Sequence, residues 1–240
     1  MKITLLGTGD AIGTPKVGCS CPQCSRAHAT GEMRLRTSLL VENAGFHILI
    51  DSSPDLRQQL LRCGSPHIDA VIWTHGHYDH FMGFGEFYRV QQPPPVFAAQ
   101  PVMNYCGEIF RFLTFERRCI EPYEPFNLAG ISVTPFLVKH PPAHTCGMLF
   151  DTGESRVGFT SDTNIDIPQK SLDLLENLDL LLLDALVPSD VTIHKHMNYL
   201  DACMLAERLK PKKFCCVHQS HLLPWDLPHL GRDGDCFLLP

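Results

Sequence analysis

The sequence predicts a layered α/β protein with helices packed outside two sheets. Short apolar runs bounded by Gly, Pro and Asn recur along the chain, and stretches of helical spacing fall between them. Residues 178–183 are apolar on both faces, as in a central strand of a covered sheet. In order, residues 2–6 read as a buried first strand and 7–18 as an aperiodic Gly/Thr/Pro loop. Residues 37–42 and 46–50 form two strands around Asn43-Ala44-Gly45, a hairpin signal. Spacing at Leu56, Leu60 and Leu61 predicts a helix over 54–62, with Ser52 or Ser53 placed to cap it. Residues 70–73 are a buried strand leading into Thr74-His75-Gly76-His77-Tyr78-Asp79-His80. An aromatic helix is expected over 81–90, ended by Pro93-Pro94-Pro95. Strands follow at 96–99, 131–139, 148–151 and 157–160, then a helix around 172–175, the strand at 178–183, a helix at 200–209 and a last strand at 214–217. No repeat or composition break divides the chain, so residues 1–240 are read as one domain.

Composition narrows the classes. With 240 residues, 44% of them apolar, one core is feasible, and 19% charged with 9% aromatic residues excludes wholesale disorder and fibrous proteins. A net charge of −6 leaves no basic footprint for a long polyanion, which argues against nucleic acid as a partner. No apolar run approaches the ~18 residues of a membrane span. The first residues turn to Gly and Thr too soon for a signal peptide, so a cytoplasmic protein without membrane contact is expected. Eleven cysteines fit a reducing compartment. The aromatic stretches at 81–88 and 110–115 offer apolar surface for a homodimer.

Thirteen histidines bring metal chemistry forward, since imidazole is the commonest metal ligand. His75, His77, Asp79 and His80 follow a buried strand directly. If extended geometry persists, His75 and His77 point to one side, and Asp79 and His80 lie past the turn. A two-metal site, with ions ~3.5–4 Å apart, needs more donors. Strand ends supply them: His140 after 131–139, Asp162 in Ser161-Asp162-Thr163, and His218 after 214–217. His144 competes with His140, which sits directly at the strand end. Earlier in the chain, Cys19, Cys21 and Cys24 place three thiolates in a loop at about 18–26. Soft sulfur favours zinc, and a closed structural site wants a fourth ligand from elsewhere.

These motifs resemble the metallo-β-lactamase superfamily: His75-x-His77-x-Asp79-His80, a later histidine, Ser161-Asp162-Thr163 and His218-x-x-His221, from Leu6-Gly7-Thr8-Gly9 onward. The resemblance implies a four-layer αββα sandwich with metals at one edge of the sheets. It implies that His75, His77 and His140 hold one metal, that Asp79, His80 and His218 hold the other, and that Asp162 bridges them. By the same resemblance Asp51 orients ligands. The cysteine cluster is similar to that of the branch containing the cyclic phosphodiesterase of phosphonate metabolism and the B protein of pyrroloquinoline quinone biosynthesis. There it implies that His221 completes a structural zinc site.

Two divalent cations sharing a water lower its pKa and clamp a phosphoryl group. Manganese or zinc suits the His/Asp donors, as do iron and nickel. A leaving alkoxide needs a proton, for which His194 and His196 are candidates; the resemblance places the acid at His196 and gives Asp79 a catalytic as well as a ligand role. The Gly7-Thr8-Gly9-Asp10 turn, Arg34, Arg36, Arg89 and Lys139 are candidate anion contacts, and Asp184 closes a buried strand beside the site. The expected activity is hydrolysis of a small, cyclic or linear, phosphate ester. Alternatives are a ribonuclease Z-like nuclease, a thioester hydrolase, or a non-hydrolytic or oxygenase-type role in quinone-cofactor synthesis.

Overall fold

The computed structural model describes residues 1–240. Seven strands form one sheet: β1 (Lys2–Gly7), β2 (Ser38–Asn43), β3 (Phe46–Ile50), β4 (Ala70–Trp73), β5 (Val96–Ala99), β6 (Arg117–Ile120) and β13 (Cys236–Leu238), in the order β13-β1-β2-β3-β4-β5-β6. Six form the other: β7 (Phe126–Leu128), β8 (Ile131–Leu137), β9 (Cys146–Asp151), β10 (Arg156–Phe159), β11 (Leu180–Asp184) and β12 (Phe214–Val217), in the order β12-β11-β10-β9-β8-β7. Each sheet combines an antiparallel meander with a parallel part. β1, β2 and β3 pair antiparallel, and β3 through β6 run parallel. In the second sheet β7 to β10 alternate, and β10, β11 and β12 run parallel.

The sheets pack face to face, with helices outside both, which is the αββα sandwich. β11 shows why the sequence dictates this. Leu180 and Leu182 belong to the large apolar cluster that joins the two sheets. Leu181 and Leu183 belong to a second cluster beneath α6 (Gln169–Leu174) and α7 (Tyr199–Leu209). A strand apolar on both faces is satisfied only by a sheet on one side and helices on the other. On the far side, α2 (Leu56–Arg62) and α5 (Gln100–Ile109) add Leu56, Leu60, Val102 and Met103 to the first cluster. The hairpin between β2 and β3 turns at Ala44 and Gly45, both at positive φ, as a tight primed turn requires.

Several expectations are corrected. The stretch over 81–90 is not one helix: α3 (Tyr78–Phe81) gives way to a 3₁₀ turn at Met82–Glu86 and then α4 (Phe87–Val90). Gly83 lies against the Ser53 backbone and its N–H donates to the Ser52 carbonyl at 2.9 Å, so the ladder is broken there. Nor does α2 start from a serine cap. Ser53 Oγ accepts from the Asp55 amide and donates to Gln59, while Ser52 Oγ takes the Trp73 indole N–H, and the helix begins at Leu56. The cysteine segment is not wholly a loop, since α1 (Pro22–Thr30) carries Cys24 and has Cys21 as its N-cap. The aromatic stretches are mainly interior. Phe81, Phe84 and Phe110 are buried around Trp73, whose ring meets that of Phe84 edge-on at 5.1 Å, Phe87 is buried against Phe84, and of the apolar side chains in these stretches only Met82, Tyr88 and Phe112 stay exposed.

Removing bulk from the layer between the sheets should be costly. Leu182, fully buried there, is expected to lose about 2–5 kcal/mol on substitution by Ala. Urea denaturation measures this, and a loss below about 1 kcal/mol would contradict tight packing of that layer.

Candidate metal centre

The site lies where the parallel strands of both sheets end, the position at which open α/β sheets bind ligands. His75 and His77 follow β4, and Asp79 and His80 lie in α3. His140 follows β8, Asp162 follows β10, Asp184 ends β11 and His218 follows β12. Asp51, Ser161 and His218 take positive φ of 60°, 55° and 57°, a region that costs non-glycine residues free energy and persists only when surroundings enforce it. The enforcing contacts are visible. Ser38 Oγ donates to the Asp51 carbonyl (2.7 Å), Ser161 Oγ donates to Thr74 Oγ1 (2.9 Å), and the Gln219 amide beside His218 donates to the Thr8 carbonyl (2.8 Å).

Two donor groups result. In the first, His77 Nδ1 stands 3.0 Å from both His75 Nε2 and His140 Nε2, and Asp162 Oδ2 is 3.6 and 3.7 Å from the same two nitrogens. In the second, His80 Nε2 lies 3.3 Å from Asp79 Oδ2 and 3.4 Å from Asp162 Oδ1. His218 Nε2 lies 3.4 Å from Asp79 Oδ2 and 3.3 Å from Asp162 Oδ2. Asp162 belongs to both groups.

Outer contacts decide which nitrogen of each ring faces inward. His140 Nδ1 donates to the Lys195 carbonyl (2.9 Å) and His80 Nδ1 to Asp51 Oδ2 (2.7 Å). Thr74 Oγ1 spends its own proton on Asp51 (2.8 Å), so toward His75 Nδ1, at 3.0 Å, it acts as acceptor. Each contact consumes the ring N–H and leaves an Nε2 lone pair turned into the site, the arrangement found around metal-bound histidine.

The donor set fits divalent cations. The bare Nε2 atoms of His75 and His140 both crowd His77 Nδ1 at 3.0 Å, and His80 Nε2 and Asp162 Oδ1 are buried and make no hydrogen bond. Unmatched buried polar atoms cost about 1–3 kcal/mol each, which a cation at the centre would relieve. Electrostatics agree. Burial opposes charge on His80, yet Asp162, Asp79 and Asp51 lift its pKa well above the usual imidazole range, and His218, equally buried, is raised to about 9 by Asp162 and Asp79. Positive charge is therefore favoured in that half. In the other half, burial holds His75 well below its usual value and pushes His140 down to about 4, so these rings stay neutral donors.

At the mouth, His196 Nδ1 donates to Asp184 Oδ2 at 2.7 Å, and its ring stacks on His218 (5.0 Å between centroids, 9° between planes). Asp184 is fully buried; burial raises its pKa against the pull of His196 and His218. With Nδ1 so engaged, Nε2 is the nitrogen of His196 left for exchange.

Other candidates are not brought to the centre. His144 stands outside both donor groups, with Nε2 3.8 Å from Cys146 Sγ, and His194 is exposed. The amides of Thr8, Gly9 and Asp10 are spent on Asp233, Leu35 and Gln219, so that turn offers no anion cradle. Arg34 is buried and donates to the Ser220 and Leu223 carbonyls, Arg36 pairs with Asp55, Arg89 lies over Tyr88 and Lys139 faces Asp166.

The cysteine cluster forms a second compact group. His221 Nδ1 is 3.6 Å from Cys19 Sγ and 3.5 Å from Cys21 Sγ, and Cys24 completes a set of four. A tetrahedral zinc with bonds of ~2.3 Å to sulfur and ~2.0–2.1 Å to nitrogen has S···N edges of about 3.5 Å, so the residues present fit that ion. Amides of Lys16, Cys21 and Cys24 point at Cys24, Cys19 and Cys21 sulfurs. Against burial, the His221 ring and the Cys24 amide draw the Cys21 thiol down to about 6.

Residues 47–219 match the β-lactamase superfamily domain. The chain belongs to the metallo-β-lactamase superfamily. Within it, the chain is similar to a crystallised diphosphatase of the PhnP family at 30% identity, TM-score 0.90, covering all of this chain and 98% of that one. Zn²⁺-bound PqqB from Methylobacterium extorquens shares the fold at TM-score 0.86 and 22% identity, with each chain fully covered. Among curated relatives, an octanoyltransferase of Porphyromonas gingivalis is 32% identical over 98% of this chain and 51% of its own length. Coenzyme PQQ synthesis protein B of Bradyrhizobium diazoefficiens is 33% identical over 58% of this chain and 52% of its own. The chain spans about half the length of these curated relatives.

Thr74, Ser161 and the Lys195 carbonyl were not legible as parts of this metallo-β-lactamase site; single hydroxyls and a carbonyl leave no spacing signal. The contact of Thr74 with Asp51, which also accepts from His80, can be tested at the carboxylate. Asp51→Asn is expected to weaken divalent-metal affinity about 10–100-fold, read by chelator competition, with circular dichroism unchanged; wild-type affinity would show that the carboxylate does not orient His80. Separately, Cys21→Ser is expected to remove one zinc per chain and lower Tm while the His/Asp donors keep their metal. Unchanged zinc stoichiometry would exclude the four-residue site.

Proposed function

We propose that residues 1–240 form a dinuclear metal-dependent phosphodiesterase that hydrolyses a small phosphate ester. The observation that carries this reading is the sharing of Asp162 between two donor groups, with the Asp184-His196 pair opening beside them. His75, His77, His140 and Asp162 would hold one cation, and Asp79, His80, His218 and Asp162 the other. Their mixed nitrogen and oxygen donors suit manganese, zinc, iron or nickel. Such a pair of cations lowers the pKa of water toward neutrality and neutralises the charge that develops on phosphoryl oxygens.

The chain's own work is positioning and proton transfer. Asp51 and Thr74 hold His80 and His75 in the orientation that presents Nε2 to the centre. Asp79 fixes the side of the centre facing His218. His196 Nε2 delivers a proton to the leaving oxygen, and Asp184 balances the charge of the ring while it carries two protons. The similarity to the PhnP-family diphosphatase along the whole chain supports phosphorus chemistry. Net charge −6 supports a small substrate over nucleic acid, and eleven free cysteines support a reducing, cytoplasmic setting. The relatives named coenzyme PQQ synthesis protein B favour a second reading, a non-hydrolytic role in quinone-cofactor synthesis.

A substrate panel separates the readings: bis(p-nitrophenyl) phosphate, a 2′,3′-cyclic nucleotide, a lactam and a glutathione thioester, each with metal-reconstituted protein. Diester turnover is expected, and turnover of the thioester alone would sink the proposal. His196→Ala is expected to lower kcat by roughly 10²–10⁴ for an alkyl leaving group, with a smaller loss for p-nitrophenolate and metal content unchanged. Equal losses for both leaving groups would exclude an acid role.

A further inference from the structure

A cavity of about 300 Å³ opens beside His77. Its walls come from two elements that meet there. The first turns of α5 give Pro101, Val102 and Tyr105, and the segment after β8 gives Pro142, Ala143 and His144. None of the lining side chains is Lys, Arg, Asp or Glu. A second phosphate or a carboxylate placed there would lose water without gaining a cationic partner. The lining instead offers flat faces: a phenol ring, two imidazoles and two pyrrolidines.

Tyr105 is the informative residue. It is 58% exposed, yet its ring is held in place on two sides. Its edge packs so closely on Gly76, inside the metal-donor loop, that a Cβ there would meet Tyr105 Cδ1 at 2.9 Å. Its ring also meets Phe81 in a T-shaped contact at 5.9 Å and 69°. An aromatic face kept both rigid and open to water next to a reactive centre is a stacking surface prepared in advance, because ordering it costs nothing further on binding. The volume is at the lower end for ligand pockets, room for one ring and its linkage rather than an extended chain.

Building on the phosphodiesterase reading, we infer that this cavity binds a flat, uncharged ring of the substrate, an aryl group or a nucleobase, stacked on Tyr105. Tyr105 and Ala143 thereby set which phosphate esters are accepted. The reacting phosphoryl group sits at the donor centre, and the ring is carried on the ester arm directed past His77.

Binding tests this independently of turnover. Phenyl phosphate, adenosine 5′-monophosphate and methyl phosphate are titrated calorimetrically into metal-loaded wild type, Tyr105→Ala, Tyr105→Phe and Ala143→Leu. At least one ring-bearing ester is expected to bind roughly tenfold tighter than methyl phosphate. Tyr105→Ala and Ala143→Leu should erase that preference, Tyr105→Phe should keep it, and methyl phosphate should bind alike throughout. Whichever of the two ring-bearing esters shows the preference identifies the ring as aryl or nucleobase. Equal binding of all three esters to wild type overturns the inference, as does a loss in Tyr105→Ala shared by methyl phosphate. Ring preference without hydrolysis of any diester would leave the cavity assignment standing and remove the phosphodiesterase reading. Conversely, equal kcat/KM for bis(p-nitrophenyl) and methyl p-nitrophenyl phosphate, falling together in Tyr105→Ala, would retain the reading and reject the cavity.

Discussion

The centre depends on where each imidazole places its single proton. A ring can present a lone pair inward only if its other nitrogen has an acceptor outside, and here the acceptors are a carbonyl, a hydroxyl and a carboxylate: Lys195 for His140, Thr74 for His75, Asp51 for His80. Asp51 is the common anchor, since it takes the proton of Thr74 Oγ1, the Thr74 amide and the His80 N–H together. Without it, Thr74 has a free proton and His75 a choice of tautomer. Burial makes the arrangement stiff, because neither Asp51 nor His80 has water to fall back on.

The fold supplies the geometry by bringing strand ends from both sheets to one line. Asp51 and His218 immediately follow β3 and β12, and Ser161 lies two residues after β10; all three sit in left-handed conformation. That strain is sustained by hydrogen bonds to Ser38, Thr74 and Thr8, all on segments of the first sheet, which thereby holds its own turn at Asp51 and both turns of the second sheet.

Much of this was legible from residue types and spacing. The strands with buried runs, from Lys2–Gly7 to Phe214–Val217, declare themselves because both faces are covered. The edges do not: Arg117–Ile120 is largely exposed and charged, and Cys236–Leu238 is three residues long, so neither alternates clearly. The helix Gln100–Ile109 is masked by Pro101 and Gly107, and that glycine is explained only in space, where the Arg117 guanidinium packs over it. At the centre, the histidines and aspartates at strand ends were readable, whereas Thr74, Ser161 and the Lys195 carbonyl act through contacts that no linear pattern records. The aromatic run after His80 misled for a related reason. Its apolar character was plain, but whether it faced water or Trp73 depended on Phe110 and Phe115, which follow α5, packing against it.

The donors of the centre are spread from His75 to His218, and the segment bearing His218 is tied back to the beginning of the chain through Thr8, Gln23 and Arg34. Contacts spanning some two hundred residues form late, after shorter loops have closed. The first donor group is complete once residue 162 has been made, but the second waits for His218, so a ribosome would have released nearly the entire polypeptide before both halves of the centre could exist. Until Asp162 is made, His75 and His77 on one side and Asp79 and His80 on the other lack the carboxylate that ties both halves, so an ion met early has few bonds to hold it. Ion choice is thereby deferred to the finished protein, where geometry rather than order of arrival decides.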